Sequence, residues 1–327
     1  MPRCSKPSAP SWRAGARSCS STKAAAAPRP DLAVLVAVTG ATGFVGGHVA
    51  RTLLRRGHRV RGLAHDPARA HLLADQGVEL ITGSLSDSSA LHALARGADA
   101  IVHLVGIIVE RGPATFTAVH VEGTRNVLAA AVAAGVRRFL HMSAVGARDE
   151  PGATAYHHTK GQAEQLVRTA ALSHVIFRPS IISGPESVPI RTIAQLHRRS
   201  PVIPVFGDGR FPTQPVWVED VALAFALAAE RSDVTGVLEL GGPQVLTYEE
   251  FLLAIGRAAG HPRPLIHLPL QLVRAVARAF DLLGPAAPIT SDQLQMLVEG
   301  SATPENAAEP VFAIRPVPFE EGLRRFL

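Results

Sequence analysis

The chain has 327 residues, 47% of them hydrophobic and 18% charged, enough for a large core and one or two domains. Its net charge of +6 does not mark a nucleic-acid binder: six of the 33 basic residues fall in residues 1–30, which hold no acid, and the other 27 balance 27 acidic residues. Both cysteines, Cys4 and Cys19, lie in that same leader, which excludes a disulfide or thiolate metal site from the rest, and no run of 18 apolar residues spans a membrane.

The leader, rich in Ser, Ala, Pro and Arg, reads as a disordered extension or an overlong start, with an organellar transit peptide as the alternative. The expected compartment is the cytoplasm, or an organellar matrix if the transit reading holds. From Leu32 to Val38 the chain is apolar without a break, as a strand buried on both faces would be. Thr39-Gly40-Ala41-Thr42-Gly43-Phe44-Val45-Gly46 follows, then helically spaced Val49, Leu53 and Leu54, until Gly57 ends the helix. Strand, glycine turn and helix open a dinucleotide-binding βαβ unit. The glycines allow a tight turn, a close pyrophosphate and close helix–strand packing, and the helix N-terminus offers N–H groups to the phosphates. The spacing is G-x-x-G-x-x-G rather than G-x-G-x-x-G.

His58–Ala64 reads as the second strand, ending at His65-Asp66-Pro67. A carboxylate at this tip takes the ribose hydroxyls of NAD, and a basic group accommodates the extra phosphate of NADP. With His65 at the tip, Arg69 one helical turn on and Arg61 within the strand, NADP(H) is favoured and NAD(H) remains possible. Further strands are expected at Val78–Ile81, Ala100–Val105, Arg138–Met142 and His174–Phe177, with a helix over Val119–Ala134. Strands alternating with helices over about 150 residues predict a Rossmann-type doubly wound parallel sheet. Beyond Gly184 the pattern changes to a smaller, mostly helical, substrate-covering region. Strands at Val216–Val218 and Val237–Leu240 flank a helix over Asp220–Glu230, which Asp220 is expected to cap. A capping box, Thr247 to Glu250, opens the next helix. The expected division is 1–30 leader, 31–183 nucleotide-binding domain with 214–242 returning to it, and 184–213 plus 243–327 covering the substrate. The amphipathic segment Leu270–Leu283 suits packing against the sheet domain, or peripheral docking on a membrane or partner protein.

Tyr156-His157-His158-Thr159-Lys160 carries the chemistry. Lys160 is the only lysine beyond the leader and Tyr156 one of two tyrosines. The two are helix neighbours at i, i+4, where an ammonium is expected to lower the phenol's pKa towards the working range of an acid–base. Ser143 ends the fifth strand, thirteen residues earlier. His157 and His158 have no metal partner at recognisable spacing, and no metal site is expected.

Taken together, T-G-x-x-G-x-x-G, the strand-end Ser143, Tyr-x-x-x-Lys and Arg178-Pro179-Ser180-Ile181-Ile182-Ser183-Gly184-Pro185 resemble the extended or atypical short-chain dehydrogenase/reductases, which include the NAD-dependent epimerase/dehydratases. Arg178 to Glu186, Gly207-Asp208-Gly209 and Pro215 to Asp220 look most like bacterial relatives of the nucleotide-binding accessory subunit of respiratory complex I. The resemblance implies pyrophosphate contacts along the turn from Gly40 through Thr42, Gly43, Phe44 and Val45 to Gly46, and adenine contacts at Leu85. It implies that His103, Leu104 and Val105 lie along the cofactor and that Pro179, Ser180, Ile181 and Ile182 flank the nicotinamide. Tyr156 would be the acid–base, Lys160 would bind the nicotinamide ribose, and Ser143 would polarise a small-molecule substrate. Ser84, His65, His120 and Ser183 depart from residues frequent in the family, and the last two speak against a standard sugar-nucleotide site. The expected activity is NAD(P)-dependent oxidoreduction or epimerase/dehydratase chemistry, with a nucleotide-binding scaffold or assembly factor as the alternative.

Overall fold

The computed structural model describes residues 33–282 and 289–327, and in residues 67–69 the backbone only. The leader, the Arg69 side chain and Leu283 therefore lie outside the described residues. The chain runs β1 (Leu35–Thr39), α1 (Phe44–Arg55), β2 (Arg59–Ala64), α2 (Pro67–Asp75), β3 (Glu79–Thr82), α3 (Ser88–Ala95) and β4 (Ala100–His103). A π-helical turn over Thr117–Glu122 leads into α4 (Gly123–Ala133), β5 (Arg138–Met142), α5 (Ala155–Thr169), β6 (Ser173–Pro179), β7 (Ile182–Ser183) and α6 (Val188–Arg199). There follow β8 (Ile203–Phe206), β9 (Pro212–Thr213), β10 (Val216–Trp217), α7 (Val218–Glu230), β11 (Gly236–Leu240) and β12 (Leu246–Thr247). The last elements are α8 (Tyr248–Ala258), β13 (Leu265–Leu268), α9 (Leu270–Asp281), α10 (Ser291–Glu299), α11 (Ala308–Phe312) and α12 (Phe319–Leu323).

Seven strands form one parallel sheet in the order β11-β6-β5-β4-β1-β2-β3. Side chains alternate between its two faces, and both faces are covered. Val36 and Val38 of β1 join Val49 and Leu53 of α1 and Phe225 of α7 in one core. Leu35 and Ala37 join Leu91 and Leu94 of α3, Val127 of α4 and Val167 of α5 in the other. Burial on both sides is why β1 has no polar alternation in its sequence. The strand order reverses between β1 and β4, whose carboxyl ends therefore flank the crevice where such sheets take ligands. Thr39 is paired with His103 in the register there.

A separate core gathers Ile190 of α6, Ile203 and Val205 of β8, Phe251 and Ile255 of α8, and Phe319 of α12. One expectation changes in this C-terminal half. The N-cap of α7 is Trp217, so Asp220 lies inside the first turn, where its carboxylate accepts the Val317 N–H at 2.8 Å. Burial raises that carboxyl to about 6. The core that helix α9 joins among the described residues is that of α10. Buried Val273 and Ala277 of α9 meet Leu294 of α10, and Phe206 and Leu268 pack beside them. No helix of the described residues is long and apolar enough to cross a membrane.

Candidate active site

The glycine turn is built as its spacing requires. Gly40 has φ +74°, a conformation side chains resist, and a Cβ there would press Leu104 and Val105 at 3.2–3.3 Å. A Cβ on Gly46 would lie 1.9 Å from the Gly40 carbonyl oxygen, so this glycine lets α1 sit against the turn. Gly43 occupies the N-cap of α1 with no side chain to satisfy the helix's first N–H groups. A bare glycine before a 12-residue helix fits a pyrophosphate, which would take the place of the missing cap. Phe44 points the other way: a Cβ on Gly184 would stand 2.8 Å from its ring, so Phe44 ties the turn to the segment after β7.

At the adenosine end, His65 is exposed just beyond β2. Arg61 is not available there. Its guanidinium donates to the carbonyls of Ala93, Leu94 and Arg96 at the end of α3, and it pairs with Glu79 at 2.9 Å. Leu85 packs against Gly123 of α4, and its carbonyl accepts from the Asn126 amide at 2.9 Å.

The titratable groups collect around Lys160. Lys160 is buried on α5, and its ammonium donates to the Met142 carbonyl at 3.0 Å. A Cβ on Gly106 would stand 3.0 Å from Lys160 Nζ, so a side chain there would crowd the lysine head. Burial lowers Lys160 to about 8, against the pull of Glu164 one turn along. Glu164 is itself fully buried, forked onto Arg178 at 2.7 Å and bound to Arg168 at 2.6 Å. Tyr156 packs edge-on to Phe116 and His120, with ring centroids 5.9 and 5.5 Å away. Burial pushes its phenol up to about 12, the reverse of the downward shift expected from the neighbouring lysine. Burial is the one cause of this shift, and the Lys160 ammonium adds no opposing one. Ser143 is buried, its N–H bonded to the Phe177 carbonyl at 2.7 Å, and its hydroxyl has no partner among the described residues.

Other expected lining residues also make contacts within the protein. β4 ends at His103, whose ring is fully buried and lies within 2.6 Å of the Thr39 hydroxyl and 3.1 Å of Thr124. That side chain welds the two strands at the reversal point. Leu104 and Val105 follow it and brace Gly40. Ser180 gives its hydroxyl to the Ser301 carbonyl, and Ile182 pairs with Val216, while Pro179 receives the Val145 N–H. The sequence reading gave no role to His120 beyond noting its departure. Its Nε2 accepts the Ile107 N–H at 3.1 Å, so Nδ1 carries the proton towards Thr159 at 3.0 Å. Burial, with Lys160 beside it, lowers this imidazole to about 3 and keeps it neutral. The helix that the spacing predicts over Val119–Ala134 opens as a π turn at this residue, a distortion common at functional sites. Among the described residues no group of three or more His, Cys, Asp or Glu could hold a metal ion.

A parallel sheet with an uncapped glycine turn at its reversal point and a buried lysine beside it defines a dinucleotide-binding α/β protein. The chain belongs to the NAD dependent epimerase/dehydratase family, whose pattern matches residues 36–241. It is 36% identical over 241 residues to the ceramide reductase of Caulobacter vibrioides, spanning 73% of this chain and 75% of the relative. It is 30% identical over 276 residues to sterol demethylase protein B of Methylococcus capsulatus, 75% and 81% of the two chains. Subunit 9 of the NADH dehydrogenase 1 alpha subcomplex from Arabidopsis thaliana mitochondria is 27% identical over 291 residues, 84% and 72%. The UDP-glucose 4-epimerase of Thermus thermophilus, solved with NAD, superimposes with a TM-score of 0.68 at 21% identity, over 89% and 97% of the two chains, a likeness of fold.

Proposed function

We propose that the protein is an NAD(P)H-dependent reductase of a ketone carried on a long, apolar molecule. The observation that carries this reading is the meeting of the two halves of the site across residues 104–106. A Cβ on Gly40 would stand 3.2–3.3 Å from Leu104 and Val105, and one on Gly106 3.0 Å from the Lys160 ammonium, so turn and lysine lie against one short segment. A bound NAD(P)H supplies the hydride that reduces the carbonyl carbon. Tyr156, whose pKa of about 12 keeps it protonated at neutral pH, donates its proton to the carbonyl oxygen. The C=O bond becomes CH–OH, and the phenolate left behind recovers a proton from solvent. Lys160 holds the nicotinamide ribose and steadies that phenolate with its charge. The orphan hydroxyl of Ser143 donates to the same oxygen. NADP(H) is preferred over NAD(H) because His65, not an acid, stands at the tip of β2. The apolar substrate class is supported by the names of two relatives, a ceramide reductase and a sterol demethylase protein.

The test is NADPH oxidation with long-chain 3-keto and steroidal ketones, wild type against Tyr156→Phe. The variant should bind NADPH equally and turn over about 10²–10⁴ more slowly, the usual contribution of a positioned acid–base. A turnover indifferent to Tyr156 defeats the mechanism. A second reading, a nucleotide-loaded scaffold, is favoured by the likeness to the Arabidopsis subunit. It wins if no ketone is reduced while Tyr156→Phe and the wild type both assemble into a larger complex.

A further inference from the structure

Helix α5 begins with Tyr156 as its second residue, so the hydroxyl is only as well placed as the helix's first turn. That turn has four N–H groups with no intrahelical partner. The Thr154 hydroxyl accepts from one of them, His157, at 3.1 Å, and the first intrahelical bond runs from His158 to the Thr154 carbonyl at 2.9 Å. The N–H groups of Ala155 and Tyr156 turn to the carboxylate of Asp292, far along the chain. Asp292 Oδ2 accepts the Ala155 N–H at 3.0 Å, and the Tyr156 N–H bears on the same carboxylate.

Asp292 does not act alone. Gln295 donates to the Gly152 carbonyl at 3.1 Å, and Glu299 takes both Arg148 nitrogens at 3.0 and 2.9 Å and stands 3.2 Å from His157 Nδ1. Residues 292, 295 and 299 share one face of α10. All three grip the loop between Ser143 and Tyr156 or the start of α5. That loop is pressed on the helix, since a Cβ on Gly161 would lie 2.4 Å from the Arg148 carbonyl carbon. On another face of α10, Leu294 packs with Val273 and Ala277 of α9. The helical arm formed by α9 and α10 therefore clamps the catalytic loop with polar groups alone on that side.

We propose that α10 is a positioning clamp for the general acid, and that Asp292 is a positioning residue that fixes Tyr156 through the first-turn amides of α5. The proposal rests on the reductase reading for its consequence in turnover, and its geometry is tested without a substrate. The full chain is labelled with [ζ-13C]tyrosine, which gives two signals because there are two tyrosines, Tyr156 and Tyr248. Tyr156→Phe assigns them. In Asp292→Ala the Tyr156 signal should shift or broaden while that of Tyr248 stays, and the amides of 155–157 should exchange at least about tenfold faster. Asp292→Asn, which keeps an acceptor oxygen, should restore most of both. On any ketone found, Asp292→Ala should lower kcat about tenfold or more with the KM for NADPH unchanged, as a misplaced catalytic group does. A Tyr156 signal that does not move in folded Asp292→Ala overturns the clamp, as does equal movement of Tyr248. If Asp292→Ala fails to fold, Glu299→Gln, which loosens Arg148 and His157, is read by the same two signals: a moved Tyr156 sustains the clamp and an unmoved one overturns it. Absence of any ketone substrate would count against the reductase alone, because the tyrosine signals report regardless.

Discussion

The two ends of the cofactor groove are made of different material. At the pyrophosphate end the work is done by backbone: a positive φ at Gly40, an uncapped helix at Gly43 and a contact at Gly46 too close for any side chain. Around Lys160 it is done by side chains, the buried Lys160, Ser143 and neutral His120 and the half-buried Tyr156, which sit among partners from other elements. Backbone geometry is local, so a turn of eight residues contains its own instructions. Buried titratable groups depend on whatever packs over them, and here that includes α10 from the far end of the chain.

Substitutions at the backbone end should separate folding from binding most sharply. Gly46→Val puts a branched side chain where even a Cβ would sit 1.9 Å from the Gly40 oxygen and 2.9 Å from the Ala41 Cα. Backbone cannot yield as a side chain does, so the variant should lose its cooperative thermal transition or melt more than about 10 °C lower. Gly43→Ala is the control. With φ −81° and its nearest neighbour at 3.2 Å, alanine is tolerated, and stability should change by about 1 kcal/mol or less. The added methyl nevertheless occupies the phosphate approach, so nucleotide affinity should fall at least about tenfold. Calorimetry and nucleotide titration on both variants check the pair. Equal effects on Tm would break the distinction between the two glycines.

The same contrast accounts for what could be read from the sequence. β1, the turn and α1 follow from an apolar run, three glycines and helical spacing, all within 25 residues. Tyr156 and Lys160 were legible because this chain uses lysine so sparingly. The upward shift of Tyr156 was not, since it comes from Phe116, His120 and the rest of the enclosure rather than from the i, i+4 neighbour. The partners of His103 were hidden for a similar reason: its position at a strand end suggests a lining residue, and its bonds to Thr39 and Thr124 come from elements far apart in the sequence. Helix α10 did leave a signal. Thr290 and Gln293 form a capping box, and Asp292, Gln295 and Glu299 share a face, but nothing local told which loop that face would grip.

At the side-chain end, Lys160→Arg tests whether a buried ammonium is needed or only a charge. Burial lowers Lys160 to about 8, so the charge that holds the ribose is present at pH 7 and lost as pH rises through about 8. The KM for NADPH should therefore climb above that pH in the wild type. The loss is not unfolding: between about 8 and 10.5 the unfolded chain keeps this proton more readily than the folded one, so Lys160 makes folding more favourable as pH rises there. Arginine stays charged, so in Lys160→Arg the alkaline climb should vanish. Its planar fork suits the lysine slot beside Gly106 poorly, and NADPH affinity at pH 7 should drop about tenfold. A climb that persists in the variant assigns the limb to another group.

The smallest effect expected lies beyond β2, where His65 is proposed to favour one cofactor over the other. His65 can donate to the 2′-phosphate, and a hydrogen bond to a charged group contributes about 1.5–3 kcal/mol when well formed. An exposed contact earns the lower part of that range, so NADPH should bind about tenfold more tightly than NADH. His65→Ala should reduce the ratio to a few-fold. His65→Asp should invert it, because a carboxylate at the tip accepts from the ribose hydroxyls and repels the phosphate. Arg61→Ala sharpens the comparison between backbone and side-chain ends. Its guanidinium is spent on the carbonyls that close α3 and on Glu79, so its loss should lower Tm and leave the ratio where it was. If Arg61→Ala changes the ratio and His65→Asp does not, the phosphate is read from within the strand, and the tip of β2 has no part in the choice.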